Sequence, residues 1–394
     1  MALVLNQEQS MLRESALLFL KENAPVAQLR ALRDRRDLSD DLSDDLSDDL
    51  NDDHGFSRDL WQRFAAMGFA GVLVPESHGG MGLGQVEAGA IMEAIGRNLT
   101  AVPFFSTAVL GATMLARHGS AAQQERCLPP LARGDLLVAL ALDEGARHAP
   151  QKLALRARPD GGGYRLDGEK TFVVDGHVAD LLIVAARTAG DDMGQGGVTL
   201  FLVDGQAAGV TRERTLMVDA HNAARIRFEN VQVDASVVIG EPGQGGPLLD
   251  GVLDIGRAAL AAELLGIAGE AFERTLSYLK ERRQFGQVIG AFQALQHRAA
   301  SLYCEIEITR AAVLHAQQQL DAAPGTAAPC VSAAKARAGA SATLAVQEAV
   351  QMHGGIGMTD EFEIGFFMKR ARVVEELLGD ARFHADRWGR LNGY

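Results

Sequence analysis

The segment 280–297, KERRQFGQVIGAFQALQH, concentrates side chains that could bind a phosphorylated cofactor. Arg282 and Phe285 form an Arg-x-x-Phe-Gly unit that interrupts a run of helix-forming residues, and Gln293 follows where the helical pattern resumes. A guanidinium suits a diphosphate because it is planar, permanently charged and able to donate two parallel hydrogen bonds. Arg282 could instead be a cation that stabilises the C-terminal end of a helix. The spacing alone leaves both interpretations open.

A second segment, QMHGGIGM, places glycines next to a polar side chain. It contains Gln351, Gly354 and Gly355. Residues without a side chain let the backbone approach a phosphate closely, so that successive N–H groups can reach the anion. A plain turn is the competing interpretation of these two glycines.

The periodicity of the apolar residues divides the chain into elements that would position these side chains. Helical spacing predicts helices at 6–35, over most of 57–133, and at about 291–320 and 331–352 after one long helix rich in small residues. Between them, residues 136–240 alternate with period two in short runs bounded by Gly, Asp and Asn, which is typical of antiparallel strands. We therefore predict an α+β protein with an N-terminal helical domain at 1–134, a middle antiparallel β domain at 135–241 and a C-terminal helical domain at 242–394.

An acidic insertion interrupts the first domain at 38–53, where a four-residue unit repeats as LSDDLSDDLSDDLNDD. Recurring carboxylates could bind calcium, but the tract lacks the central glycine and closing glutamate of an EF-hand loop. Repulsion among its eight aspartates and the poor helix propensity of Asp and Ser favour a solvated insertion.

Composition and charge exclude several classes of protein. The 394 residues are 47% hydrophobic and 23% charged, which is the balance of an ordinary globular protein. A net charge of −13 opposes a general nucleic-acid surface. The three cysteines are far apart, so we expect no zinc site and no other metal site. No apolar run reaches the roughly 18 residues that span a bilayer, and we expect a cytoplasmic protein.

An α-β-α chain that carries R-x-x-F-G, F-Q-x-x-Q-H and Q-M-H-G-G-I-G-M in this order resembles the acyl-CoA dehydrogenase family. VPESHGGMGLG, DGEKTFVVDGH and RAALAAELLG extend the resemblance over nearly the whole chain. The resemblance implies FAD as the cofactor, a C-terminal four-helix bundle, and side chains that reach the FAD of a neighbouring subunit. The cofactor-binding residues it implies are Arg282, Phe285, Gln293, Gln351, Gly354 and Gly355.

The resemblance also implies a substrate and a reaction, the α,β-dehydrogenation of an acyl-CoA thioester. A carboxylate takes the α-proton while the β-hydrogen leaves as hydride to the flavin. Asp254 and Arg257 match a pair that lies beside the CoA chain in the family, although an i,i+3 ion pair would explain them equally well. The family places its catalytic glutamate at one of two positions. In this sequence these positions are Leu378 and Gly256, so neither usual base is present.

Other titratable residues lie close to the expected base. Asp380 is two positions from it but shorter than a glutamate, and it is the remaining candidate for a catalytic carboxylate. Glu375 and Glu376 are expected to face solvent or to pair with Arg372, and His384 is a further, weaker candidate. The catalytic residue therefore stays unassigned.

The β domain departs from the family pattern as well. Leu142 and Val174 replace two threonines whose hydroxyl groups contact the flavin in the family, and Phe172 replaces a tryptophan. The residues that a subunit of the family offers to its neighbour's flavin are thus retained, whereas the residues it uses for its own flavin and substrate are replaced. Some bacterial members of the family, including those acting on steroid side-chain CoA thioesters, combine two unlike chains in this way.

We therefore expect an FAD-dependent acyl-CoA dehydrogenase that could act as one subunit of a hetero-oligomer, although a homo-oligomer stays open. Its partners would be an acyl-CoA substrate and an electron-transfer flavoprotein or similar acceptor. The alternatives are a flavin oxidase or monooxygenase of the same fold and a non-catalytic binding subunit.

Overall fold

The computed structural model describes residues 3–39, 54–190 and 196–394, and the side chains of all of these except residues 35–39. The acidic insertion predicted at 38–53 therefore lies, from residue 40 onward, outside the described residues. Residues 38 and 39 end a helix.

The N-terminal region is helical, as the sequence predicts. Reciprocal polar caps set two of its helix starts. The Asn6 side chain accepts from the Gln9 N–H at 2.8 Å while the Gln9 side chain accepts from the Asn6 N–H, and Ser120 and Gln123 form the same reciprocal pair. The helices are α1 (Gln7–Asn23), α2 (Val26–Ser39), α3 (Arg58–Ala66), α4 (Gln85–Asn98), a π-helix (Phe104–Gly111), α5 (Ala112–His118) and α6 (Ala121–Ala132).

The middle region forms one sheet, with strands β1 (Val138–Ala141), β2 (Arg156–Asp160), β3 (Gly163–Val174), β4 (Leu181–Arg187), β5 (Val198–Asp204), β6 (Val210–Leu216), β7 (Asn222–Asp234) and β8 (Val238–Ile239). Its order is β6-β7-β3-β2-β4-β5-β8, with β1 also paired to β4. The alternation read from the sequence is visible in β7, where Ala224, Ile226 and Phe228 enter the core and the residues between them are exposed.

The prediction of a purely antiparallel domain is wrong in one respect. β1 runs parallel to β4, and β2 meets β4 in the same parallel sense at one residue pair, Arg156 with Arg187. The segment between β1 and β4 is long enough for the crossover that a parallel pair requires. Period-two alternation is common to both kinds of pairing, so it could not distinguish them.

The C-terminal region is helical again. Its elements are α7 (Gly245–Glu281), a short hairpin of β9 (Arg283–Gln284) and β10 (Gln287–Val288), α8 (Gln293–Ala322), α9 (Ala328–His353), α10 (Ile364–Glu376) and α11 (Ala381–Leu391). Helix α9 is central, since α8, α10 and α11 all pack against it. The predicted bundle of four helices therefore carries one further helix, α11, within residues 245–394.

The chain forms two compact units. The first consists of Met1–Ala31, Gln85–Thr100 and Arg257–Tyr394, so α1 and α4 belong with the C-terminal helices. The second consists of Leu32–Gly84 and Ala101–Gly256 and contains the sheet. The domain boundaries at 1–134, 135–241 and 242–394 remain a prediction. Over the three described ranges, no helix combines the length and apolar character needed to cross a membrane.

Candidate functional site

A tight hairpin turn presents Phe285 to solvent immediately after α7. Gln284 pairs with Gln287, so Phe285 and Gly286 form a two-residue turn. Their φ angles are 53° and 79°, both left-handed, as the type I′ turn of such a hairpin requires. Phe285 is 88% exposed, and its ring centroid lies 6.1 Å from that of Phe292. A large aromatic residue held in a disfavoured backbone conformation and left exposed fits contact with another molecule.

The backbone around this hairpin is fixed while its polar side chains are exposed. The Arg282 N–H donates to the carbonyl of Tyr278 at 2.9 Å, and the Arg282 carbonyl accepts from the Ile289 N–H at 2.9 Å. Arg282 itself is exposed, as is Gln293, the first residue of α8. The guanidinium of Arg282 and the amide of Gln293 are therefore exposed to solvent, while the backbone that carries them is ordered.

The glycine turn after α9 leaves open space above its backbone. Gly354 has a φ of 66°, and a Cβ added to Gly354 or Gly355 would have no heavy atom within 4 Å. Gln351 beside them is exposed. Exposed backbone without side chains suits close approach by a ligand, which is the property expected of this segment from the sequence.

A contact between Tyr278 and His353 joins the hairpin to the glycine turn. Their ring centroids are 4.5 Å apart, and the ring centroid of Phe362 lies 4.6 Å from that of His353. His353 is buried and donates from Nδ1 to the carbonyl of Ala349 at 2.7 Å, which leaves Nε2 without a hydrogen-bond partner among the described residues. Burial lowers the pKa of His353, so its imidazole is neutral. The sequence prediction missed Tyr278, although its position one helical turn before Arg282 is a local signal.

The loop between α10 and α11 contains the position where a catalytic glutamate was expected. Leu378 and Gly379 have φ angles of 56° and 107°, two successive left-handed residues. A Cβ at Gly379 would lie 2.3 Å from Cδ1 of Phe383, so only glycine fits there. Leu378 is 8% exposed. The Asp380 carboxylate accepts from the Phe383 N–H at 2.7 Å and is the N-cap of α11.

Three basic side chains donate to the carbonyls around this loop. Arg257 Nε and His384 Nε2 both donate to the carbonyl of Leu378, at 3.3 and 3.1 Å. Lys335 Nζ donates at 2.8 to 3.1 Å to the carbonyls of Val374, Glu375 and Gly379. Lys335 and His384 belong to different helices, and their convergence on this loop was not apparent from the sequence.

Burial changes the protonation of these groups. It lowers the pKa of Lys335 to about 7, against the opposing effect of the Glu375 charge. It lowers the pKa of His384 to about 2, and the neighbouring Lys335 and Arg257 act in the same direction. His384 is therefore neutral at physiological pH, donates from Nε2, and does not supply a protonated acid to this loop.

Comparison with known proteins identifies the architecture that carries this arrangement. The chain matches the N-terminal, middle and C-terminal domain models of acyl-CoA dehydrogenases over residues 6–135, 143–231 and 243–390. An acyl-CoA dehydrogenase of Bacillus subtilis is 30% identical over 376 residues, 94% of this chain and 93% of that protein. The chain belongs to the acyl-CoA dehydrogenase family. Members of this family are FAD-dependent oxidoreductases acting on CH–CH bonds.

Two solved structures are similar over almost their entire length. A variant of the steroid ACAD Tcur3481-Tcur3483 has a TM-score of 0.84 at 30% identity, with 98% of both chains covered. The ChsE4-ChsE5 complex from Mycobacterium tuberculosis has a TM-score of 0.85 at 27% identity, with 100% of both chains covered. The predicted fold and the predicted family are confirmed.

The first compact unit fits the cofactor of the acyl-CoA dehydrogenase family. It offers an exposed arginine, an exposed aromatic ring, and a glycine pair whose backbone faces open space. These are a cation, a stacking surface and a stretch of backbone without side chains, which suit a dinucleotide with a diphosphate.

In the β domain of this acyl-CoA dehydrogenase family member, Leu142, Phe172 and Val174 have no polar side-chain atom with which to contact a flavin. Leu142 is buried, and its carbonyl accepts from Lys170 Nζ at 3.0 Å. Lys170 also pairs with Glu144 at 2.6 Å, and burial lowers the pKa of this lysine against the charge of Glu144. Phe172 has a φ of 50° and is half exposed, while Val174 is half-buried.

The remaining residues near the expected base have structural partners. Glu375 and Glu376 pair with Arg372 at 3.5 and 2.6 Å, as predicted. On α7, Asp254 and Arg257 are both buried, three residues apart. Gly256 occupies the alternative position of the glutamate in acyl-CoA dehydrogenases. It precedes Arg257 in the sequence and is also buried.

Proposed function

We propose that this chain is one subunit of a hetero-oligomeric, FAD-dependent dehydrogenase of acyl-CoA thioesters, in which it completes the flavin site of an unlike partner. The observation that carries the proposal is the loop after α10. Position 378 is a leucine, and Asp380, two residues further on, caps α11. A chain without a carboxylate at the substrate's α-carbon does not take the α-proton by itself.

The candidate cofactor-binding residues on the first unit support the second part of the proposal, that this chain completes the flavin site of a partner. Arg282 would neutralise the diphosphate, Phe285 would pack against the cofactor, and Gln293 and Gln351 would donate amide hydrogen bonds. Gly354 and Gly355 would admit the cofactor close to the backbone. FAD, when bound, supplies the acceptor for the hydride that leaves the β-carbon. All six residues are exposed, so they are available to a neighbouring subunit.

The substrate assignment follows the family. Asp254 and Arg257 are proposed to lie beside the CoA chain, and an electron-transfer flavoprotein or similar acceptor would take the electrons. The 30% identity to a protein named a steroid ACAD makes steroid acyl-CoA thioesters the first substrates to assay, with fatty acyl-CoA thioesters as the comparison. The cytoplasmic location expected from the sequence stays a prediction.

The visible spectrum of the protein purified alone, with flavin per chain quantified after denaturation, tests the proposal. A colourless chain that acquires FAD, and bleaches it with an acyl-CoA, only when co-purified with an unlike family member supports the hetero-oligomer. One FAD per chain, bleached anaerobically by an acyl-CoA without any partner, contradicts it and directs attention to Asp380.

A non-catalytic binding subunit is the second candidate, favoured by Leu378 together with the aliphatic Leu142 and Val174. It predicts that the partner retains full dehydrogenase activity when this chain is absent. An oxidase or monooxygenase of the same fold would be recognised by oxygen consumption with a nitroalkane or another substrate that is not a CoA thioester.

A further inference from the structure

Lys335 lies on α9 and is 1% exposed, yet no carboxylate of the described residues accepts from its ammonium. All three of its hydrogen bonds go to backbone carbonyls. Two of these carbonyls belong to the last turn of α10, where helix geometry leaves them without intrahelical partners. The third is that of Gly379, on the far side of the loop. Lys335 therefore ties the end of α10 to the residues that lead into α11.

Arg257 and His384 complete the set of donors from two other helices. Both donate to the carbonyl of Leu378, and the Arg257 guanidinium also lies 5.5 Å from the ring centroid of Phe383. The loop 377–380 is thus held from α7, α9 and α11 together. A leucine in a left-handed conformation is unfavourable and persists only where its surroundings over-determine it.

We infer that Lys335, acting with Arg257 and His384, is a positioning residue that fixes residue 378 through the carbonyls at the end of α10 and in loop 377–380. The relevance of this inference to catalysis rests on the proposed function, because that function depends on the absence of a catalytic glutamate at position 378. The inference does not depend on that function for its structural content. Its consequence is that a carboxylate introduced at position 378 would enter a loop that is already ordered.

Hydrogen exchange measured by mass spectrometry at pH 6 tests the positioning role directly. In the native chain the Gly379 N–H donates to the Glu376 carbonyl and the His384 N–H to the Asp380 carbonyl, both at 3.1 Å, so these amides are expected to exchange slowly. In Lys335→Met, exchange in the peptide covering 377–384 should accelerate at least tenfold while α8 is unchanged. Lys21→Met, at the exposed end of α1, is the matched control and should leave the peptide unaffected.

Two results would overturn the inference: unchanged exchange at 377–384 in Lys335→Met, or a uniform acceleration over all the C-terminal helices. If Lys335→Met does not fold, His384→Leu answers the same question, since it removes one of the two donors to the Leu378 carbonyl. The same local acceleration is then expected, and its absence counts equally against the inference.

A second readout separates the inference from the proposed function. Leu378→Glu, co-purified with an unlike family member whose own catalytic glutamate is replaced by glutamine, loaded with FAD and given an acyl-CoA in D₂O, should incorporate α-deuterium at least tenfold faster than the same complex with the native chain or Leu378→Gln. Adding Lys335→Met should lower that rate at least tenfold with the acyl-CoA KM within twofold. Incorporation by the native chain would refute the proposed function. Equal rates with and without Lys335→Met would refute the positioning role.

Discussion

The ring of Tyr278 lies 4.5 Å from the imidazole of His353, centroid to centroid, and this contact connects two segments that are distant in sequence. Tyr278 also accepts the backbone hydrogen bond of Arg282, and His353 immediately precedes the glycine pair. The candidate cofactor residues of the first unit are therefore not independent motifs. Their relative position depends on this packed aromatic pair, in which His353 is also anchored by its hydrogen bond to the carbonyl of Ala349.

Tyr278→Ala is expected to loosen both segments. Loss of the ring should lower the free energy of unfolding by about 1–3 kcal/mol, because aromatic pairs contribute beyond their buried area. FAD retention by the assembled enzyme should fall as well. Urea denaturation and flavin quantification after gel filtration measure the two effects. Tyr278→Phe keeps the ring and should behave as the native chain; full flavin retention in Tyr278→Ala would contradict the connection.

Gly379→Ala and Gly355→Ala should separate a steric role from a binding role. At Gly379 the left-handed φ and the overlap with Phe383 predict a loss of about 2–3 kcal/mol in the free energy of unfolding. At Gly355 a methyl group meets open space, so stability should stay within about 0.5 kcal/mol while FAD retention decreases. Thermal and urea denaturation measure stability. Equal destabilisation by the two substitutions would show that the loop geometry at Gly379 is wrong.

The lowered pKa of Lys335 predicts a pH-dependent stability. The group titrates near 7 in the folded chain and near 10.5 when unfolded, so the unfolded chain binds more protons between these values. The free energy of unfolding should therefore rise with pH across this window, by at most about 1.4 kcal/mol per pH unit. The charged groups that face Lys335 are the carboxylates of Glu375, Glu376 and Asp380 and the guanidinium of Arg257.

Lys335→Met lacks this contribution and serves as the reference. The difference in free energy of unfolding between the native chain and the variant, measured in urea from pH 6 to 10, should shift in favour of the native chain as pH rises. A difference that stays constant over this range would mean that Lys335 keeps its ordinary pKa in the folded state.

The lowered pKa of His384 predicts a loss of stability in acid. Its pKa is about 2 in the folded chain and 6.5 in the unfolded chain, so its contribution is present above pH 6.5 and decreases as the pH falls below that value. Acid should therefore destabilise the native chain more than His384→Leu between pH 6 and 4. Parallel stability curves for the two proteins would contradict the burial of a neutral imidazole at this position.

The three-part architecture follows from the sequence by itself, because apolar periodicity is a local property. The long helix α7, the start of α8 and the runs of β strands were each predicted from neighbouring residues. The same holds for the break in the helical pattern at Phe-Gly and for the glycines of QMHGGIGM that let a ligand approach the backbone, whereas the hairpin at that break came only from the structure. The capping role of Asp380 was also within reach, since aspartate is a preferred N-cap residue.

Tertiary structure alone decided the rest. Arg257 and Leu378 are 121 residues apart in sequence, and Lys335 and Gly379 are 44 apart. Whether their donors and carbonyls meet depends on how α7, α9 and α11 pack, which local patterns do not encode. The parallel pairing of β1 with β4 is of the same kind. A sequence period specifies which face of an element is buried, whereas the partner on that face is set by the packing of the whole chain.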